Sequence, residues 1–188
     1  MGFFSREPKL DKDEKIDEEQ RSACLRYLKE EIKLIVFRDK EYNLYNIALS
    51  EYEESSASDS QDTREMCRAA NRLLQATEYI LKCRDDMEPI PEIVSINYSL
   101  WQSVYINYNA YTKANFQYWQ QEDRGLEPNN KDIKIYVSRV NISLKKANWE
   151  MKKLYQRLRL SDEEREMQDE AIAALDAEKW QPKENESN

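Results

Sequence analysis

The chain contains very little glycine and no histidine. Only 2 of its 188 residues are Gly and 5 are Pro, whereas average usage would give about 13 and about 9. Hairpin turns and phosphate-binding loops depend on Gly, because they need positive φ angles or close approach of the backbone. The shortage therefore argues against an all-β fold, a Rossmann unit and a P-loop. The lack of His removes the usual acid–base group at neutral pH and the commonest metal ligand.

Long apolar runs and an export signal are also missing from the sequence. Without 18 consecutive apolar residues, no transmembrane helix is predicted. Without a signal peptide, we expect a cytoplasmic protein whose Cys24, Cys67 and Cys83 are reduced and pack as small apolar groups. With 40% hydrophobic and 35% charged residues, the composition fits one extended helical domain.

Four long segments carry helical periodicity, and every Gly and Pro lies outside them. The predicted helices cover residues 12–52, 62–86, 92–121 and 131–159. A capping box, Ser161 to Glu164, predicts a shorter fifth helix ending near Lys179. Because short loops join only neighbouring helix ends, we predict an all-α fold, an antiparallel up-down-up-down bundle of four long helices with a short C-terminal fifth helix.

The domain organisation follows from the same breaks. Residues 1–10 are expected to be a flexible segment, 11–160 the bundle, 161–180 an acidic helix and 181–188 a disordered tail. The fourth helix has the clearest coiled-coil pattern, with apolar residues at alternating spacings of four and three. These residues are Ile133, Val137, Val140, Leu144, Ala147, Met151, Leu154 and Leu158.

The third helix is unusually aromatic, and Asn residues are interleaved with its rings. Tyr and Trp are common anchors of protein interfaces, so one interpretation is an open groove for a peptide, a helix or a small ligand. The other is a wide buried face whose Tyr hydroxyls reach solvent or neighbouring helices. The candidate partner-binding residues are Trp101, Tyr105, Tyr108, Tyr111, Tyr118 and Trp119.

The net charge of −8 is unevenly distributed. Residues 131–159 contain nine Lys and Arg against two Asp and Glu, whereas residues 160–188 contain three against ten. The helical pattern predicts an anion-facing stripe on the side opposite the apolar residues, made of Arg139, Lys145, Lys146, Lys152, Lys153 and Arg159. The acidic fifth helix, a protein partner, or a nucleic acid or anionic membrane could cover it.

Catalytic and metal-binding patterns do not emerge from the sequence. No Ser-His or Cys-His pair can exist without His, and the Cys spacing contains no CxxC zinc motif. The acid on a core stripe is Asp39, which we interpret as a charge pair with Arg38 or a device that sets helix register. We therefore expect no enzyme activity, no metal and no cofactor.

Three functions stay open on the sequence alone. The first is a non-enzymatic adaptor or scaffold that acts through protein contacts on helix faces, with a homo-oligomer as one form of such contact. The second is an accessory protein that meets nucleic acid or an anionic membrane through the fourth helix. The third is a binder of a small apolar ligand inside the bundle, lined by Tyr and Trp.

Overall fold

All regular secondary structure is helical in the part of the chain that the structure, a computed structural model, describes. That part comprises residues 16–55, 60–87, 90–161 and 163–164, and it contains no β-strand. A short 3₁₀ turn over Glu92–Val94 leads into the third helix. The four long helices confirm the all-helical prediction and are α1 (Glu18–Glu54), α2 (Ser60–Asp85), α3 (Ser95–Asp123) and α4 (Lys131–Leu158).

Capping residues explain where the first and last of these helices begin and end. The Asp17 carboxylate accepts a hydrogen bond from the Gln20 amide at 2.7 Å, and the Gln20 side chain accepts one from the Asp17 amide. This capping box satisfies free amides at the start of α1, so α1 begins at Glu18 rather than near residue 12 as predicted. The last helix, α4, ends just before Arg159, which adopts a left-handed φ of 46°.

The four helices pack against each other around two core clusters. Close pairs are α1 with α2, α2 with α3, and α3 with α4. The first cluster draws on all four helices, and the second lies toward the C-terminal half of α1 and the N-terminal half of α4. Representative members of the first are Leu28, Ile80, Trp101, Val104, Met151 and Leu154, and of the second Tyr45, Met66, Leu73, Trp119 and Val140.

The inner stripe of α4 is confirmed over most of its length. Five of its eight residues are buried, and Leu144 and Ile133 are half-buried. Val137 differs from the prediction, because 40% of it is exposed. Val140 is the first buried residue of α4, so Val137 lies one turn before the helix enters the core.

Of the predicted C-terminal helix, only the beginning lies among the described residues. The Ser161 hydroxyl accepts from the Glu164 amide at 3.2 Å, and the Glu164 carboxylate accepts from the Ser161 amide at 2.9 Å, as the predicted capping box requires. The rest of the fifth helix, the segment 1–10 and the tail 181–188 lie outside the described residues. Among the described helices, none is long and apolar enough to cross a membrane.

Glu164 also holds this segment against α1. Its carboxylate pairs with the Arg21 guanidinium at 2.6 Å, and this hydrogen bond is the main reason why the pKa of Glu164 falls from 4.5 to about 2. A lowered pKa means that the contact stabilises the fold above pH 4.5 and is lost as the pH falls toward 2.

We expect an NMR titration of the Glu164 carboxyl carbon to show a midpoint near 2. Arg21→Gln removes the guanidinium and should raise the midpoint, while the hydrogen bonds from Ser161 still keep the pKa below the ordinary value for Glu. An unchanged midpoint in the variant would contradict the contact.

Candidate functional site

The aromatic residues of α3 lie mainly inside the protein. Trp101, Tyr105, Tyr108 and Trp119 are buried, while Tyr111 and Tyr118 are half-buried. Their rings pack on one another, with 5.8 Å between the centroids of Trp101 and Tyr105 and 5.3 Å between those of Tyr118 and Trp119. The aromatic side of α3 therefore matches the second interpretation, a wide buried face. Of the six candidate residues, only Tyr111 and Tyr118 are partly accessible.

A fully buried ion pair joins α1 to the last turn of α2. Glu31 and Arg84 have no exposed side-chain surface, and Arg84 Nη1 donates to Glu31 Oε2. The Tyr105 hydroxyl donates to Glu31 Oε1 at 3.0 Å, and the Tyr27 hydroxyl lies 3.0 Å from Oε2. Arg84 also donates to the Gln102 side chain and to a backbone carbonyl. Every polar atom of this pair therefore has a partner, as a buried pair requires.

Further polar contacts occur along the same interior. Arg72 on α2 donates two hydrogen bonds, of 2.6 and 2.9 Å, to the buried carboxylate of Glu41. Near the ends of α1 and α3, Trp119 Nε1 donates to the Tyr45 hydroxyl at 2.9 Å, and that hydroxyl donates to Asn115. Burial raises the pKa of Tyr45, so the hydroxyl keeps the proton that it donates.

The expectation about core acids was wrong in its choice of residue. The predicted Arg38–Asp39 pair exists at 2.6 Å, but Asp39 is exposed and Arg38 is the buried member. Among the described residues, the buried acids are Glu31 and Glu41. A signal was present, because Glu31 and Arg38 fill places in an unbroken four-and-three stripe along α1, namely Cys24, Leu28, Glu31, Ile35, Arg38, Tyr42, Tyr45 and Leu49.

The predicted basic stripe lies on the surface of α4. Five of its residues are exposed, and Lys153 is half-buried and pairs with Glu150 at 2.6 Å. The Arg139 guanidinium lies 5.5 Å from the centroid of the Tyr136 ring. The exposed five are Arg139, Lys145, Lys146, Lys152 and Arg159.

Three exposed apolar side chains run along the middle of this basic surface, which the sequence analysis missed. Ile135, Ile142 and Trp149 are 42%, 55% and 36% exposed. They are seven residues apart, so they form one line of about 21 Å along the helix. We call this line and its flanking cations the α4 outer face. By helical geometry, Arg139 and Lys146 flank the line on one side and Lys145 and Lys152 on the other.

The α4 outer face combines an apolar line with flanking cations. Exposed apolar side chains in a line favour contact with another apolar surface, and the cations on both sides favour an anionic ligand. No group of three or more His, Cys, Asp and Glu is placed to hold a metal ion within the described ranges. The cysteines there are free, and burial raises the pKa of each thiol, so none is an activated thiolate.

Comparison with known proteins adds no assignment to this surface. No family model, no curated protein and no solved structure matches the chain.

Proposed function

We propose that this chain is a non-enzymatic helical scaffold that binds an acidic protein partner through the α4 outer face. The observation that carries the proposal is the line of Ile135, Ile142 and Trp149 with Lys and Arg on both sides. A partner helix with an apolar stripe and flanking Asp and Glu matches both features at once. Such a helix needs a stripe of about 21 Å, or four turns.

Charge outside α4 favours a narrow protein partner over a broad anionic surface. The chain apart from residues 131–159 contains 20 Lys and Arg against 35 Asp and Glu. A membrane or a nucleic acid duplex is broad, so its own negative charge would lie within the screening length of about 8–10 Å of more of these Asp and Glu side chains and be repelled by them. A single helix docked along α4 approaches fewer of those acids.

A second candidate is an anionic membrane or a nucleic acid, favoured by Trp149 and the Lys residues around it. A third occupant is the acidic segment 165–188, because residues 160–188, with three Lys and Arg against ten Asp and Glu, follow the basic helix directly in the chain. If this segment covers the α4 outer face, a partner must displace it in order to bind, so the segment would act as a switch.

We also propose the up-down-up-down order of the helices. Contacts between α1 and α2 support it, because early residues of α1 meet late residues of α2, as in Glu31–Arg84, and later ones meet earlier ones, as in Glu41–Arg72. Contacts between α1 and α3 keep a constant separation of 70 residues, in Tyr27–Asn97 and Tyr45–Asn115, as expected for parallel helices.

The proposed function is tested by photo-cross-linking in the source cells. A photoreactive residue at position 142 should capture a protein whose cross-linked region is rich in Asp and Glu with apolar residues at helical spacing. The matched control places it at Ile106, an equally exposed apolar residue on α3. The double substitution Lys145→Glu and Lys146→Glu should remove the product at 142, because it reverses the charge on both sides of the line.

Other outcomes of this experiment decide between the occupants. Capture of lipid or nucleic acid at 142 would favour the second candidate. Capture of residues 165–188 of the same chain would favour the intramolecular cover. Truncation after Glu164 should then abolish that cross-linked product. Equal products at positions 142 and 106 would contradict a specific role for the α4 outer face.

A further inference from the structure

Arg38 has an unusual position among the buried charges. The charged side chains buried in the described part of the chain are Glu31, Arg38, Glu41 and Arg84. The other three have carboxylate–guanidinium partners that reach them inside the bundle. Arg38 instead uses Nε and Nη2 on one oxygen of Asp39, whose side chain is 57% exposed. Its Nη1 atom meets no acceptor from the described residues.

Two more buried donors next to Arg38 are also unpaired. The Trp101 Nε1 and Tyr108 hydroxyl groups have no hydrogen-bond partner in the described part of the chain. The Arg38 guanidinium carbon lies 5.6 Å from the centroid of the Trp101 ring and 5.9 Å from that of the Tyr108 ring. Burial raises the pKa of Tyr108, so its hydroxyl stays protonated. Three donors thus belong to side chains grouped around one cation.

The neighbouring acids are already used by other donors. Glu31 accepts from Arg84 and Tyr105, and Glu41 accepts two bonds from Arg72. Buried donors without acceptors destabilise a fold, so the chemistry of this cluster calls for an acceptor. A water molecule accepts two hydrogen bonds and brings two protons that need acceptors of their own. A small anion brings no protons that need acceptors of their own, and its charge is favoured beside a guanidinium.

We propose that Arg38, Trp101 and Tyr108 form a binding site for a small monovalent anion such as a halide or a carboxylate. Trp101 and Tyr108 are seven residues apart on α3 and so share one face, and Arg38 reaches them from α1. The site is inside the bundle and is independent of the α4 outer face.

Halide quenching of tryptophan fluorescence tests the site. The variant W119F/W149F/W180F keeps Trp101 alone. Because Trp101 is 1% exposed, iodide in bulk solution should quench it weakly, whereas iodide bound at its Nε1 should give quenching that saturates. Titrations use sodium iodide at constant ionic strength, balanced with sodium sulfate. Chloride and acetate are then added separately, and displacement by either identifies halide or carboxylate as the better ligand.

The matched control is W101F/W149F/W180F, which keeps Trp119 alone. Trp119 is also buried, but its Nε1 already donates to Tyr45, so its quenching should stay weak and linear. In the background that keeps Trp101, Arg38→Gln should raise the half-saturating iodide concentration by about tenfold or more, and Tyr108→Phe by less. Circular dichroism confirms that each variant is folded.

Three results would overturn the proposal. The first is weak, linear quenching that is the same for Trp101 and Trp119 in folded variants. It would mean that water, and not an anion, accepts the hydrogen bonds of Arg38, Trp101 and Tyr108. The second is saturable quenching that neither chloride nor acetate reverses. The third is saturable quenching that the folded Arg38→Gln variant leaves unchanged.

Discussion

Replacing Arg84 with Met is expected to lower the free energy of unfolding by about 3–5 kcal/mol. The Glu31 side chain has no exposed surface. The change therefore leaves its carboxylate buried without the cation that balances its charge. The Tyr105 and Tyr27 hydroxyls still lie 3.0 Å from its two oxygens, but neutral hydroxyl groups do not replace a guanidinium. Urea unfolding followed by circular dichroism measures the loss, and an unchanged m-value shows that the transition is comparable.

Two further variants distinguish the effect of losing the buried ion pair from the effect of removing any arginine. Arg64→Met removes a 68% exposed side chain that lies 3.8 Å from Asp123, so it should cost less than about 1 kcal/mol. The double variant Glu31→Leu and Arg84→Met removes both charges and should be more stable than Arg84→Met alone. Equal losses in Arg84→Met and Arg64→Met would contradict the assignment of this pair to the core.

Replacing Trp101 with Ala is expected to cost about 3–5 kcal/mol. The side chain is buried in the first core cluster among residues of all four helices, so its removal takes away both burial and packing. This result decides between the two interpretations of the aromatic α3 residues. An open groove would tolerate the change and lose only a ligand, whereas a core position loses stability.

Ile106→Ala is the matched control for that change. Ile106 lies on the same helix but is 53% exposed, so its truncation should change stability by less than about 0.5 kcal/mol. Differential scanning calorimetry of both variants gives the comparison. If Trp101→Ala unfolds at the temperature of Ile106→Ala, Trp101 is not part of the core.

The four long helices and most of the inner face of α4 could be predicted from the sequence. The Gly and Pro positions mark the connections, and the apolar spacing on α4 identifies most of its buried residues. The buried Glu31 and Arg38 could not be found in this way, because a scan for apolar residues treats a charge as a break. Burial of Glu31 depends on Arg84, which is 53 residues away, and a local pattern contains no information about that contact.

The candidate site was predicted only in part for a different reason. The six residues of the basic stripe follow from the sequence, but the stronger apolar pattern of the inner stripe made the second apolar line easy to miss. Ile135, Ile142 and Trp149 become significant only once the structure shows them exposed together. The aromatic residues of α3 illustrate the reverse case, because interface and core use the same residue types and only burial distinguishes them.

The central claim is that the α4 outer face binds the partner, and one measurement tests it most directly. It is the dissociation constant of the partner captured through position 142, measured with the unsubstituted 188-residue chain and with two variants. Ile142→Asp places a charge in the apolar line and should weaken binding by at least about tenfold. Ile106→Asp makes the same change on α3 and should leave the constant within about twofold. Equal affinities for the two variants, or a larger loss in Ile106→Asp, would contradict the claim.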